Sequence, residues 1–233
     1  MGLPVQVAKY LTRQDGYVTS KRSSEHVLNG GAYRLFGKRL LDLGMLFLML
    51  PIVLPVIVLV TLALLISGQT PFYTQKRLGR DGRVFRIWKF QTMYPDADRM
   101  LEIILDSDPA RKAEWQATQK LKTDPRITWV GHFLRKTSID ELPQLWNVLI
   151  GNMSLLGPRP MMPNQKHLYG PTFPVYASLR PGISGMWQVS ERNETHFQRR
   201  AELDIRYASE LSLKTDLNLV LQTLRTVLRS TGY

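Results

Sequence analysis

The chain has 233 residues, with 31 Lys and Arg against 19 Asp and Glu, which gives a net charge of +12. This length suits one domain with an additional segment. The absence of Cys excludes disulfides, Cys-ligated metal centres and a Cys nucleophile, and the four His lack the spacing of a metal site. The strong positive charge predicts an anionic partner: nucleic acid, an anionic membrane surface or a phosphorylated substrate.

The chain begins with a polar stretch, residues 1–33, that has no sustained period and is predicted to be a mobile tail. Residues 43–75 then contain no Asp, Glu, Lys or Arg, and about 20 apolar residues are enough to cross a bilayer. Pro51 and Pro55 favour a break in this segment, and basic residues flank it on both sides, unlike an ordinary span. A kinked span and a re-entrant helix–break–helix over residues 34–70 both stay open.

The rest of the chain, residues 71–233, is predicted to form one small α+β domain that is mostly helical. Asp81 and Gly82 form a turn between two short β-rich runs, which predicts a β-hairpin over residues 72–90. Residues 151–163 are predicted to be a loop. Helices are predicted over residues 96–121 with an interruption at 108–109, and over residues 142–149, 195–209 and 213–229. The last of these helices is amphipathic, and it suits either a membrane surface or the domain core.

Asp140 and Glu141 stand side by side where a helix is predicted to begin. One interpretation is structural, because Ser138 with Glu141 matches a capping box, and Asp140 as N-cap would place Pro143 harmlessly in the first turn. The other is chemical: a carboxylate near a helix N-terminus and basic groups such as Arg135 stays ionised and can attack phosphorus or hold a metal. Glu141 would then supply a second oxygen ligand for Mg²⁺.

Two segments rich in Gly and Pro each carry an arginine. Arg159 lies between Pro158 and Pro160, and an arginine with a rigid backbone loses little entropy when it binds a phosphate. Arg180 begins the segment RPGISG, whose glycines permit close approach of the backbone to a ligand but equally suit tight turns. Either segment taken alone is explained as well by a solvated turn.

Several long motifs taken together, in this order, resemble the bacterial sugar transferase family of monotopic polyprenyl-phosphate phosphoglycosyl transferases. The motifs are Lys38-Arg39 with Asp42, KFQTM at 89–93, DPRIT at 124–128, LRKTSIDELPQLWNV at 134–148, GNMSLLGPRP at 151–160 and RPGISG at 180–185. The similarity covers about residue 34 to the end of the chain. Its last third looks most like the branch that initiates exopolysaccharide synthesis.

The resemblance implies a membrane-associated enzyme that transfers a sugar 1-phosphate from a UDP-sugar to undecaprenyl phosphate, releases UMP and uses Mg²⁺. Asp140 matches the nucleophile that forms a covalent phosphosugar intermediate, and Glu141 completes the acidic pair, so that both are implied metal ligands. Pro51 and Pro55 would mark the re-entrant break. The further implied site residues, which bind phosphate or substrate, are Arg159, Arg135, Lys38, Lys89, Asp204 and Arg180.

The same resemblance implies an inner-membrane protein of bacteria with its catalytic domain on the cytoplasmic face. Anionic membrane lipids and other polysaccharide-assembly enzymes are the expected partners, galactose or glucose is the expected sugar, and a homodimer stays open. The alternative function is a non-catalytic, membrane-anchored scaffold or regulator, against which the intact Asp140, Glu141 and Arg159 speak. Nucleic-acid binding is not expected, because no nucleic-acid motif accompanies the basic residues.

Overall fold

The computed structural model describes residues 31–118, 121–190 and 197–228, so nearly all of the predicted tail lies outside the described residues. The described part is mostly helical with two small sheets, which confirms the predicted mixture of helices and strands. A π-helical turn at Tyr33–Gly37 opens it. The elements that follow are α1 (Lys38–Ile66), β1 (Phe72–Leu78), β2 (Val84–Phe90), α2 (Ala97–Ser107), α3 (Pro109–Thr118), α4 (Trp129–Lys136), α5 (Gln144–Leu149), β3 (Ser154–Leu156), α6 (Lys166–Tyr169), α7 (Phe173–Ala177), β4 (Gly182–Ser184), α8 (Met186–Ser190), α9 (Phe197–Glu210) and α10 (Leu213–Leu228).

The apolar segment forms one continuous helix, α1, so the predicted interruption of the helix at the prolines is wrong. Pro51 and Pro55 both lie inside α1 and are exposed. Since they are four residues apart, they share one face, and each removes only its own backbone donor while the helix continues. Together with the preceding turn, the helix is long and apolar enough to cross a bilayer, and only a small part of it is buried.

One stripe of α1 packs against the rest of the domain along both of its halves. In the first half, Leu46 is buried in a cluster with Ile87 and Val148. In the second half, Leu64 is buried with Phe90 and Leu134. The residues between them that pack against the same two clusters recur at helical spacing and are Met49, Leu50, Val53, Ile57 and Val60. The opposite face of α1 is apolar and exposed, with Leu48, Ile52 and Leu59 among its residues.

The start of α1 is fixed by a buried polar network. The Lys38 ammonium lies 2.9 Å from a carboxylate oxygen of Asp216, which is fully buried in α10. Asp216 also accepts hydrogen bonds from the hydroxyls of Tyr33 (2.5 Å) and Tyr207 (2.8 Å). One turn later in α1, Asp42 accepts hydrogen bonds from Ser154 Oγ (2.9 Å) and from the backbone N–H of Leu155. Because buried charges are costly unless paired, this network determines how the helix enters the domain.

The first sheet is the predicted hairpin. Strands β1 and β2 are antiparallel, with Phe72 opposite Phe90 and Leu78 opposite Val84. Asp81 and Gly82 both have positive φ in the connecting turn, as an Asp-Gly turn requires. The hairpin matters for function because β2 places Lys89 beside α5 and the segment that precedes it.

The second sheet was not predicted, since β3 lies within residues 151–163, which the sequence indicated to be a loop. Strand β3 pairs in parallel with β4, and each strand has only three residues, too few for a recognisable alternation. The two chain segments approach unusually closely at glycines. A Cβ on Gly157 would lie 2.5 Å from the carbonyl oxygen of Arg180, and one on Gly182 would lie 2.1 Å from the amide nitrogen of Gly157. The glycines of these segments therefore accommodate another backbone.

Replacing Gly182 by Ala tests this close approach. We expect the free energy of unfolding to fall by about 2–3 kcal/mol, because a backbone, unlike a flexible side chain, has to shift as a whole. Gly44→Ala in α1 is the matched control, since a Cβ there has no atom within 4 Å. Thermal unfolding in detergent measures both variants. Equal melting temperatures for Gly182→Ala and the wild type would contradict the packing described here.

Candidate active site

The residues before the acidic pair orient α4. Thr128 caps this helix by accepting a hydrogen bond from the backbone N–H of Gly131 (2.9 Å), and its own N–H donates to the carbonyl of Thr92 (3.0 Å). Just upstream, Asp124 and Arg126 form a buried bidentate ion pair with contacts of 2.8 and 2.7 Å. The motif DPRIT thus acts as a rigid support that fixes the direction in which α4 leads to the acidic pair.

The acidic pair does not cap the helix that follows. Asp140 and Glu141 lie in a short 3₁₀ turn, Ile139–Glu141, and α5 begins only after Pro143, without any side-chain cap. The structural interpretation of the pair as a cap is therefore wrong. Ser138, directly before the turn, has φ of 59°, a left-handed conformation that is costly for a residue other than glycine. Such strain is found preferentially at functional sites.

Lys89 brings the two carboxylates together. Its ammonium nitrogen lies 2.8 Å from a carboxylate oxygen of Glu141 and 3.4 Å from one of Asp140. An Arg159 guanidinium nitrogen approaches the same Glu141 oxygen at 3.8 Å. Asp140 is 93% buried, whereas the Arg159 side chain is about one-third exposed, so Arg159 is the more accessible of these two residues. The structure thus brings together four residues of the predicted site, namely Lys89, Asp140, Glu141 and Arg159.

The surroundings of Asp140 shift the pKa of its carboxyl in opposite directions. Burial raises the pKa of the Asp140 carboxyl and Glu141 adds to this, while the positive charges of Lys89 and Arg135 lower the same pKa. The net result is a raised pKa. Lys89 and Arg135 are therefore the groups that favour the ionised form of this carboxyl.

Arg135 lies near the end of α4 and interacts with Asp140 through its positive charge. Its Nε donates a hydrogen bond of 2.9 Å to the hydroxyl of Thr92, which fixes the guanidinium. Burial lowers the pKa of Arg135, and the negative charge of Asp140 partly restores it. The arginine therefore belongs to the electrostatic surroundings of the acidic pair, without a direct ion pair to Asp140 among the described contacts.

Three of the predicted site residues lie elsewhere. Lys38 is held in the buried network at the start of α1, with Asp216. Arg180 donates from Nε to the carbonyl of Gly151 at 2.9 Å. Asp204 is buried in α9, where it accepts a hydrogen bond of 2.5 Å from the Tyr169 hydroxyl, and burial raises its pKa to about 6. No described contact joins any of these three side chains to Asp140 or Glu141.

Sequence reasoning missed three residues around Arg159. The guanidinium of Arg159 and that of Arg200 each lie 5.6 Å from the centre of the Trp187 ring. Arg200 donates to the carbonyl of Arg159, and Arg77 donates to that of Pro160 at 3.2 Å. Arg77 and Arg200 come from β1 and α9, and no spacing in the sequence indicates that they meet.

The acidic pair suits a divalent cation whose remaining coordination positions are filled by substrate. Oxygens of Asp140 and Glu141 already share one cation, the Lys89 ammonium. Within residues 31–118, 121–190 and 197–228 there is no group of three or more residues that could hold a metal. Since Mg²⁺ commonly uses one or two carboxylates together with substrate phosphates and water, these two residues fit it.

The family model described as bacterial sugar transferase matches residues 33–230. The chain is 42% identical over 197 residues to the UDP-galactose-lipid carrier transferase of Erwinia amylovora, an alignment that covers 84% of this chain and 41% of that protein. It is 40% identical over 206 residues to the exopolysaccharide production protein ExoY of Sinorhizobium fredii, covering 87% and 91%.

A third relative is the UDP-glucose:undecaprenyl-phosphate glucose-1-phosphate transferase of Escherichia coli, which is 37% identical over 202 residues, covering 83% of this chain and 40% of that protein. The chain thus spans about two fifths of the Erwinia and Escherichia relatives and about nine tenths of ExoY. The family match includes α1, the acidic pair and the segment around Arg159. The chain belongs to the bacterial sugar transferase family.

Proposed function

We propose that this protein transfers a hexose 1-phosphate from a UDP-sugar to undecaprenyl phosphate and releases UMP, which initiates an exopolysaccharide repeat unit. The observation that carries the proposal is the buried Asp140 carboxyl, which lies beside Glu141 and whose ionised form is favoured by the charge of Lys89. The printed names of the relatives support the substrate classes, because they mention UDP-galactose, UDP-glucose and undecaprenyl phosphate. Galactose and glucose are therefore the candidate sugars.

In the first half-reaction, an Asp140 carboxylate oxygen attacks the phosphorus atom that bears the sugar. A P–O bond forms to Asp140, the P–O bond to UMP breaks, and UMP leaves with that electron pair. Arg159 lies within 4 Å of Glu141 and is partly exposed, so it can bind the phosphates of the donor as they arrive. Lys89 and Arg135 offset negative charge as it accumulates near Asp140.

In the second half-reaction, an oxygen of undecaprenyl phosphate attacks the same phosphorus atom. The bond from phosphorus to Asp140 breaks, the carboxylate is regenerated, and the product is a lipid diphosphate sugar. A covalent relay lets the soluble donor product leave before the lipid enters, so that one small site serves both substrates. Asp140 and Glu141 would hold Mg²⁺, which neutralises charge on the donor diphosphate.

The packing of α1 supports a helix that does not cross the bilayer, although α1 is continuous and lacks the break of the expected helix–break–helix. The 29 residues of α1 correspond to about 44 Å of helix, longer than a hydrocarbon core of about 30 Å. Yet Leu46 near its start and Leu64 near its end both pack against the same domain. A domain outside the membrane cannot contact both ends of a helix that crosses it. We place the domain on the cytoplasmic face, where nucleotide sugars are made.

Replacing Asp140 by Asn tests the nucleophile. We expect UMP release to fall by about a thousandfold or more, because the amide lacks the attacking charge, while membrane association is retained. The assay uses purified protein in detergent with Mg²⁺, undecaprenyl phosphate and a panel of UDP-sugars. Asp106→Asn is the matched control, since Asp106 is largely exposed. Normal turnover by Asp140→Asn would remove this residue from the mechanism, and no turnover by folded wild-type protein would favour the scaffold function.

Replacing Lys89 by Met tests how Asp140 is kept ionised. The Lys89 charge lowers the pKa of Asp140, so its removal raises that pKa. Because the attacking group is the carboxylate, the acidic limb of the kcat/KM profile should move to higher pH, and activity should be lost first at the lowest pH. Lys76→Met, on the exposed part of the neighbouring strand, should leave the limb in place. An unmoved limb in Lys89→Met would contradict this role.

Single cysteines test the membrane topology, because the chain contains no native Cys. Ala32→Cys and Lys76→Cys place exposed thiols on either side of α1. For a helix that does not cross the bilayer, a membrane-impermeant maleimide should label both from the same side, in inverted vesicles and not in intact spheroplasts. Asp106→Cys in the domain serves as the reference for that side. Labelling of the two thiols from opposite sides would establish a span.

A further inference from the structure

Asn147, a residue of α5, joins this helix to the strand that carries Lys89. Its side chain is fully buried. The carboxamide nitrogen donates a hydrogen bond of 2.8 Å to the carbonyl oxygen of Arg86, and the carboxamide oxygen accepts one of 3.0 Å from the backbone N–H of Trp88. Both partners belong to β2. A single side chain of α5 thus binds the strand backbone on either side of Ile87, one residue before Lys89.

These two hydrogen bonds occupy one edge of β2. Within the described residues the first sheet has only two strands, and β1 covers the other edge, with Thr74 opposite Trp88. In an extended strand, the carbonyl of one residue and the N–H two residues later point to the same side, so a parallel neighbour would bind both. The Asn147 carboxamide takes the place of such a neighbour and fixes the position of α5 along β2.

The C-terminal end of α5 is held by a residue of α1. Arg39 donates from Nη1 to the carbonyl of Val148 at 2.6 Å and from Nη2 to that of Leu149 at 3.0 Å. A cation that binds the last carbonyls of a helix stabilises that end. Because α5 spans only Gln144–Leu149, anchors at its middle and its end also fix its beginning, which closely follows the acidic pair.

The two elements that Asn147 joins carry opposite sides of the candidate active site. Lys89 extends from β2, and its ammonium lies 2.8 Å from Glu141 and 3.4 Å from Asp140, both of which lie just before α5. A lysine side chain is long and flexible, so the position of its ammonium depends on where its backbone is held. A shift of β2 along α5 would separate this cation from both carboxylates.

We propose that Asn147 is a positioning residue for the transfer reaction: its two hydrogen bonds to β2 set the register between the strand that carries Lys89 and the helix that follows Asp140 and Glu141. This inference rests on the proposed function, because the register matters for the reaction only if this pair carries the chemistry. Asn147 itself does not touch substrate. A carboxamide suits the place because it offers an N–H donor and an oxygen acceptor at once.

Replacing Asn147 by Leu keeps the approximate size of the side chain and removes both hydrogen bonds. We expect kcat to fall about tenfold with a smaller change in KM for the UDP-sugar, because the acidic pair is affected more than donor binding at Arg159. Tyr176→Phe is the matched control. The Tyr176 hydroxyl also bridges two backbone groups, since it donates to the carbonyl of Leu78 (2.6 Å) and accepts from the N–H of Met161 (3.2 Å). This control should lose stability and keep kcat within about twofold of the wild type.

A double-mutant cycle with Lys89→Met shows whether Asn147 acts through Lys89. If it does, Asn147→Leu should lower kcat about tenfold in the wild-type background and less than about twofold when Lys89 is already replaced. A merely structural role would give equal losses in both backgrounds. Equal losses, or an unchanged kcat in folded Asn147→Leu, would overturn the proposal.

Hydrogen exchange tests the contact without turnover. The Trp88 amide should exchange slowly in the wild-type protein and in Tyr176→Phe, and at least about tenfold faster in Asn147→Leu. Mass spectrometry of peptides from β2, with the protein in detergent, measures this rate. Equal exchange in Asn147→Leu and the wild type would overturn the proposal. Asn147→Ala is a second variant, and loss of the folded state in both variants would also overturn it, because Asn147 would then be required by the fold as a whole.

The two kinds of measurement distinguish this proposal from the proposed function. A folded wild-type protein that releases no UMP would refute the transferase, whether or not exchange at Trp88 depends on Asn147. A protein that releases UMP normally, with kcat of Asn147→Leu equal to that of the wild type, would refute the positioning role alone.

Discussion

The central constraint on this molecule is the burial of two adjacent carboxyl groups, Asp140 and Glu141, in one small site. Burial raises the pKa of Asp140, and the adjacent Glu141 raises it further, so the fold has to bring cations to the same point. Lys89 comes from the hairpin, Arg135 from α4 and Arg159 from the segment after β3. Each of these elements is in turn supported by buried polar contacts, such as the Asp124–Arg126 pair below α4.

The apolar helix α1 and the acidic pair are parts of one packed unit. The Lys38 network joins the first turn of α1 to β3, α9 and α10, while Leu64 joins its end to Phe90 and Leu134. Because Phe90 follows Lys89 in β2, and Leu134 precedes Arg135 in α4, the apolar helix α1 also packs against the two elements that place cations near Asp140.

The glycines and prolines of residues 151–185 serve a different purpose from the solvated turn that either Gly/Pro-rich segment suggests when taken alone. They let two backbones approach so closely that the N–H of Gly157 donates to the carbonyl of Ser184 (2.9 Å) and the N–H of Gly182 donates to the carbonyl of Pro158 (2.8 Å). This close pairing makes the position of Arg159 depend on chain segments more than twenty residues away. The flexible residue type is thus used to build a rigid segment, which is what an arginine needs to bind a phosphate at low entropic cost.

The sequence by itself determined the elements that depend on local patterns: the apolar helix, the Asp81-Gly82 hairpin, the helices over about 96–118 and 213–228, and the neighbouring carboxylates Asp140 and Glu141. It also determined the family, because long motifs in a fixed order are specific. Only the tertiary structure decided that α1 continues through Pro51 and Pro55, that β3 exists, and that Arg77 and Arg200 meet at Arg159. The physical reason is range: periodicity and turn chemistry act over a few residues, whereas these features result from packing and charge between segments that are distant in the chain.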